Sequence, residues 1–236
     1  MIAVEERIED KAAALDARLR GAAPQEILKA ALEAFPGKIA LVSSFGAESA
    51  VLLHMAAQID RDIPVLFLET GMLFGQTLDY RKELAETLGL TNVQDLRPDP
   101  ATLADQDPKN KLWQTSTDAC CAIRKVQPLD KALKGYEAWI TGRKRFQAAT
   151  RANLKVVEVN EVGQIKVNPL ANWSKEQLDA YAAEHQLPAH PLVANGYPSI
   201  GCWPCTKPVE EGDDARSGRW AGSEKIECGI HMSPLP

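Results

Sequence analysis

Hydrophobic positions follow two different spacings along this chain. Through residue 37 they recur at helical intervals. Val4, Ile8, Leu15 and Leu19 share one rough stripe, and Pro24 stands at the head of QEILKAALEAF, where proline suits a first helical turn. Pro36 and Gly37 close this predicted pair of helices. Beyond them, short apolar runs alternate with helical spacing. IALVSS (39–44) and PVLFLET (64–70) read as buried strands, each followed by a helix, AVLLHMAAQ and TLDYRKELAETLG, the second closed by Gly89. NVQDLRP reads as a weak third strand, AWITG as a further strand, and VVEVN with QIKVNPL as a hairpin. DPATLADQDPKNKLWQTSTD reads as irregular, and Asp118 is the expected cap of a helix running through ACCAIRKV toward Leu133. Ser174 and Gln177 form a capping box before SKEQLDAYAAEHQ. From Leu187 onward Pro, Gly and charge dominate and predict no regular element.

Strand–helix alternation of this kind implies an α/β fold, a parallel sheet with right-handed crossovers. Ligands of such sheets bind beyond the carboxyl ends of the strands, which here carry SSFGAES and LETG. The expected organisation is a helical segment over 1–37, a ligand-binding α/β domain over 38–206 and a C-terminal tail over 207–236.

Composition narrows the function classes. With 236 residues, 45% apolar and 25% charged, the chain can bury a core without disulfides. A net charge of -5 argues against bulk nucleic-acid binding but leaves room for a small basic pocket. No apolar run approaches the ~20 residues of a membrane span. The start, MIAVEERIEDK, is acidic and amphipathic rather than signal-like, so a reducing cytoplasm is expected. Thiols there serve more often as ligands or catalysts than in disulfides.

Five cysteines fall into a pair of pairs and a single. Cys120 and Cys121 are adjacent, Cys202 and Cys205 form a CxxC around Trp203 and Pro204, and Cys228 stands alone in KIECGIH. Soft thiolates from two distant pairs suit zinc or an iron–sulfur cluster. Neighbouring residues on a helix point about 100° apart, so an adjacent pair straddles a bulky cluster more easily than one ion. On spacing alone an iron–sulfur cluster, a zinc ion, a redox disulfide and plain buried thiols all remain open. Cys228 reads either as an ordinary tail cysteine or as a nucleophile, made more ionised by a nearby cation such as His231.

Anion-binding candidates are scattered. SSFGAES sits between a strand and a helix, with small residues that let backbone N–H groups approach a phosphate. It matches neither the Walker loop nor the dinucleotide fingerprint. Arg124 and Lys125 follow the cysteine pair; Arg143, Lys144, Arg145 and Arg151 follow AWITG; Arg216 and Arg219 lie in ARSGRW. Arginine forks suit phosphate and sulfate oxygens, although each taken singly reads as a solvated charge. His54 and His190 read as structural.

Taken together, SSFGAES, LETGMLF, CCAIRKVQPL, WITGRKRFQAATR, KVNPLANW, HPL, GYPSIGCWPCT, ARSGRW and ECGIH resemble the assimilatory adenylyl-sulfate/phosphoadenylyl-sulfate reductase family, from about Leu41 to His231. The resemblance implies a nucleotide-binding domain of the PP-loop adenine nucleotide alpha hydrolase-like fold with an irregular C-terminal segment. It implies one [4Fe-4S] cluster on Cys120, Cys121, Cys202 and Cys205, and Cys228 as nucleophile supported by His231. Substrate contacts are expected from Ser43, Ser44, Phe45, Gly46, Glu69, Thr70, Gly71, Lys125, Arg143, Arg151, Arg216 and Arg219. The implied reaction is assimilatory: adenylyl sulfate is reduced to sulfite and AMP through an S-sulfocysteine, for cysteine biosynthesis. Thioredoxin or glutaredoxin is the expected reductant, because this chain ends eight residues after Cys228. A homo-oligomer is compatible with the sequence. Glu69 replaces the family's usual Asp, and TGRKRFQAATR replaces its usual TGLRR-x-Q-S. Three alternatives stay beside this reading: the same reaction on the 3′-phosphorylated substrate, an adenylating or thiolating enzyme with the same fold, and a non-enzymatic iron–sulfur redox sensor. The adenylating class calls for an SGGxDS-like loop, whose second glycine and aspartate SSFGAES lacks.

Overall fold

Six strands form one sheet: β1 (Ile39–Ser43), β2 (Val65–Leu68), β3 (Val93–Leu96), β4 (Ala138–Thr141), β5 (Val157–Val159) and β6 (Ile165–Val167). This computed structural model describes residues 7–160, 162–210, 212–220, 225 and 227–231; Val4 lies outside them. The strand order is β3-β2-β1-β4-β6-β5, parallel throughout except for β5 against β6. β1, β2 and β4 are buried at every position. That is why they read as unbroken apolar runs, as strands covered on both faces do. β3 sits on the edge, with Gln94 and Asp95 exposed, which accounts for its weak signal.

Alternate residues face opposite layers. Leu41, Val65, Phe67 and Ile140 join a large core with α1 (Ile8–Leu19), α2 (Pro24–Ala34), α3 (Ser49–Ala57), α4 (Gly75–Leu88) and α9 (Lys175–Glu184). Ala40, Val42, Leu66, Leu68 and Trp139 face Leu129 and Leu133 on the other side. Buried Asp16 of α1 accepts the Val157 N–H at 3.1 Å, covering the β5 edge.

The segment read as irregular contains two short helices, α5 (Pro100–Gln106) and α6 (Leu112–Thr115). Asp99 caps α5 by accepting from Thr102 N at 2.8 Å, and Asp107 Oδ1 accepts the N–H groups of Lys111 and Leu112 at the start of α6. Neither helix buries a residue, so no apolar stripe announces it. The expected cap at Asp118 is instead Ser116, whose Oγ accepts the Ala119 N–H at 3.1 Å. The helix that follows is not uniform. α7 (Thr117–Cys121) passes into a π turn (Ala122–Val126), where the Gln127 N–H reaches the Ala122 carbonyl, and then into α8 (Gln127–Leu133). After α9 the described residues hold only 3₁₀ turns and isolated bridges.

Candidate functional site

The chain runs outward from β1 to β2 and β3, then returns to place β4 on the other side of β1. This switch point leaves a crevice beyond the strand ends, a cavity of about 220 Å³. Ser43, Ser44, Gly46 and the start of α3 form one wall. The loop turns at Phe45, whose φ of 46° is left-handed, a costly conformation outside glycine. It is held there by burial and by an edge-to-face contact with Phe67 at 5.3 Å, while Ser43 Oγ accepts the Phe45 N–H at 3.1 Å. Phe45 thus shapes the loop from behind without lining the cavity. Glu48, at the α3 N-cap position, makes no capping bond. Its carboxylate is taken by Lys144 Nζ at 2.6 Å and Gln147 Nε2 at 2.8 Å. The Ser49 N–H is bonded to the Gly46 carbonyl at 3.1 Å, and no side chain caps the N–H groups that follow, an end of a helix that suits an anion.

Lys125, Arg143, Arg151, Arg216 and Arg219 line the same cavity. Arg143 is paired with Glu158 and lies 3.3 Å from Asn168 Oδ1. Arg151 donates from Nε and Nη2 to the two oxygens of Glu227, both at 2.7 Å, and Arg216 is 3.6 Å from the same carboxylate. Arg219 donates to the Ile200 carbonyl at 3.2 Å and lies over the Trp220 ring at 4.6 Å. Its guanidinium needs the missing side chain of Gly201, since a Cβ there would meet Nη2 at 2.3 Å. Burial alone would lower the Lys125 pKa, but Cys202, Cys228 and Cys121 face it and, as thiolates, raise it above the ordinary lysine value.

Cys120, Cys121, Cys202 and Cys205 share a second, nearly closed pocket of about 10 Å³. All are free thiols. Burial, reinforced by Cys121, pushes Cys120 up to about 12; burial, eased by Lys125, pushes Cys121 up to about 11. Bound metal reverses such shifts by deprotonating the thiol. No three Cys, His, Asp or Glu among the described residues form a single-ion site. Four soft donors line this one small space, the donor type that binds zinc or an iron–sulfur cluster. Lys125 and Trp220 line both this pocket and the cleft.

LETG lies nearer the thiols than the cleft. Thr70 Oγ1 is 3.3 Å from Cys202 Sγ, Glu69 accepts the Gly71 N–H at 2.8 Å and sits 3.4 Å from Arg97 Nε, and none of Glu69, Thr70 and Gly71 lines the cavity. Arg124 braces this corner, reaching Asp107 at 2.7 Å and the Thr70 carbonyl at 2.8 Å. His54 bonds Tyr181 OH at 2.9 Å, and buried His190 is 3.0 Å from Thr77 Oγ1, away from the thiols.

Cys228 lines the cleft, half-buried, with its N–H donated to Glu227 Oε1 at 2.9 Å. His231 also lines it, stacked on Trp139 at 6.0 Å. Burial first, then the nearby Arg143, Lys166, Arg151 and Arg216, hold its pKa well below the usual histidine value. The ring is neutral, so the expectation that His231 supplies a cation to Cys228 is corrected: the charges at hand are Lys125 and Arg216. Glu48, Gln147 and Glu227 were not singled out from sequence, although all three lie within recognisable segments: SSFGAES, TGRKRFQAATR and ECGIH.

The sheet order and crevice define a nucleotide-binding α/β protein of the PP-loop kind. Its backbone is similar to that of the phosphoadenylyl-sulfate (PAPS) reductase from Candida auris, with a TM-score of 0.70 at 31% identity over 84% of this chain and 96% of that one. The FMN adenylyltransferase of Candida glabrata shares the fold alone, with a TM-score of 0.57 at 14% identity over 96% of this chain and 79% of that one. The model of the phosphoadenosine phosphosulfate reductase domain matches residues 38–208. The adenosine 5'-phosphosulfate reductase of Mesorhizobium japonicum is 56% identical over 95% of this chain and 89% of its own length. That of Rhodococcus opacus is 40% identical over 98% and 97%. The chain belongs to the adenylyl-sulfate/phosphoadenylyl-sulfate reductase family. Among the described residues no helix is long and apolar enough to cross a membrane.

Proposed function

We propose that this protein reduces adenylyl sulfate to sulfite and AMP in assimilatory sulfate reduction. The supporting observation is convergence: the β1–α3 loop, the cations Lys125, Arg216 and Arg219, and the lone thiol of Cys228 all line one cleft. The loop and the α3 N-terminus receive the nucleotide phosphate. The cations neutralise the sulfate, which would otherwise repel a thiolate. The Cys228 thiolate attacks sulfur, a new S–S bond forms, and the S–O bond to phosphate breaks with its electron pair leaving on AMP. A thiolate of an external dithiol protein, thioredoxin or glutaredoxin, then attacks Cys228 Sγ and expels sulfite; the second thiol closes the partner's disulfide. The other four thiols line the neighbouring pocket and would be taken up as ligands.

Cys120, Cys121, Cys202 and Cys205 would hold a [4Fe-4S] cluster, which would supply a structural and electrostatic element beside the cleft. Lys125, which lines both pockets, would then set the protein's own charge between such a cluster and the sulfate. Substrate added without reductant should leave an S-sulfonate on Cys228, read by intact mass and peptide mapping. A label on another cysteine sinks this mechanism.

The unphosphorylated substrate is favoured over its 3′-phosphorylated form by the way the basic run is spent. Arg143 pairs with Glu158, Lys144 with Glu48, and Arg145 Nε donates to the Leu154 carbonyl at 2.8 Å. An added phosphate would have to compete with carboxylates already in place. The deciding measurement is kcat/KM for both substrates with one reductant. A ratio favouring the 3′-phosphorylated substrate overturns this choice and leaves the mechanism standing.

A further inference from the structure

Between the nucleotide loop and the nucleophile runs an unbroken chain of hydrogen bonds. Glu48, at the start of α3, accepts from Gln147 Nε2 at 2.8 Å. Gln147 Oε1 accepts from Arg151 Nη1 at 2.5 Å. Arg151 grips both oxygens of Glu227 at 2.7 Å, and Glu227 Oε1 accepts the Cys228 N–H at 2.9 Å. The direction of each bond is forced by chemistry. A carboxylate only accepts and a guanidinium only donates, so the Gln147 amide must present nitrogen to Glu48 and oxygen to Arg151. Arg151 and Glu227 are buried, where charge-assisted bidentate pairs hold geometry best. On its other side the nucleophile is also closely set, since a Cβ on Gly229 would meet Val126 of the π turn at 3.2 Å.

We infer that Glu227 and Gln147 are positioning residues for Cys228. Glu227 holds the backbone of the nucleophile, and Gln147 ties that grip to Glu48 beside the phosphate loop. The thiol is thereby kept in register with the nucleotide rather than merely near it. Neither residue touches the reacting atoms. The role concerns a single quantity, the distance and angle at which Cys228 meets the sulfur, and small errors there are costly: a misplacement of about 1 Å can cost on the order of 100-fold in rate. This inference rests on the reading of Cys228 as nucleophile.

The test uses cluster-loaded protein and adenylyl sulfate without reductant, with the rate of S-sulfonate formation on Cys228 followed in a single turnover. Glu227→Ala and Gln147→Leu should each slow that step by about 100-fold, with AMP affinity and cluster absorbance as in the wild type. Glu227→Gln, which keeps an acceptor for the Cys228 N–H, should recover part of the rate. The double variant Glu227→Ala/Gln147→Leu should be no slower than Glu227→Ala, because both act through one chain. A merely structural role would lower AMP affinity or bleach the cluster along with the rate. Unchanged rates, losses that multiply, or loss of AMP binding overturn the inference. A faster Glu227→Ala also overturns it, showing that the carboxylate blocks the sulfate site instead. Adduct on wild-type Cys228 with unaltered variants sinks this inference alone; no adduct on the wild type sinks the reaction reading with it.

Discussion

On one side of the cleft, Ser44 and Gly46 hang from β1, whose five residues are all buried. On the other, Cys228, Arg216 and Arg219 ride on a stretch with no α-helix and no strand longer than an isolated bridge among its described residues. The first wall is held by apolar burial, which is non-directional and shared among many residues. The second is held by single ties: Arg151 to Glu227, Lys225 to Asp118, the Thr206–Arg219 bridge and the close approach of Arg219 to Gly201. Each tie is specific, and none of them lies within the sheet. The wall built on β1 thus rests on many shared contacts, and the wall that carries Cys228 rests on a few specific ones.

Substitutions can be chosen to push this contrast to its limit. Cys228→Ser should remove turnover entirely while AMP binding and the thermal transition stay in place. If nucleotide binding falls with activity, the two walls are not separable. Cys121→Ser should bleach the iron–sulfur absorbance of anaerobically prepared protein and lower activity by more than about 100-fold. Its far-ultraviolet circular dichroism should keep the wild-type helix content, because the large core contains none of these thiols. A wild type that is colourless and carries one zinc per chain overturns the cluster assignment. Gly201→Ala places a Cβ 2.3 Å from Arg219 Nη2, and the guanidinium, the flexible partner, must move. The expected loss is up to about 100-fold in kcat, with little change in melting temperature; a large drop in melting temperature would show that this wall also carries the fold.

Acid gives the mildest probe. Burial lowers the His190 pKa to about 4, and the ring is held by Thr77 and by the N–H of Leu192 donated to its Nδ1 at 3.2 Å. Because the native state refuses a proton that the unfolded chain takes up near pH 6.5, this stability is fully present above that pH. It is lost as pH falls from 6.5 toward 4. About 1 kcal/mol should be gone near pH 5.5, measured by denaturant melts and abolished in a His190→Gln background. His190 joins α4 to the start of the irregular stretch, so the loss should appear first as faster hydrogen exchange after residue 190.

The same contrast explains what was legible in the sequence. β1, β2 and β4 declare themselves because burial on both faces leaves only apolar residues, and Gly89 marks the end of α4 through its left-handed φ of 65°. Pro100–Gln106 and Leu112–Thr115 were illegible because their stability comes from Asp99 and Asp107 rather than from an apolar stripe. The site divides likewise. The cysteines, Lys125 and the arginines were readable as types at spacings. That Phe45 supports the loop from behind, that LETG faces the thiols, and that His231 is neutral all depend on packing between segments far apart in sequence. Glu227 was in plain view beside Cys228. Its partner Arg151 lies 76 residues away, and no local pattern connects them.

The π turn at Ala122–Val126 works as a vernier. A regular helix has one phase, so fixing the direction of its first residues fixes that of its last. Here the upstream turn must aim Cys120 and Cys121 into their pocket, while the downstream turn must set Leu129 and Leu133 against β1 and β2. One residue of slack between them lets the two ends be adjusted independently. Chemistry at one end can drift without disturbing packing at the other. Conversely, deleting a single residue from this turn would couple them again, and a change too small to disturb composition or charge would turn the thiols away from one another.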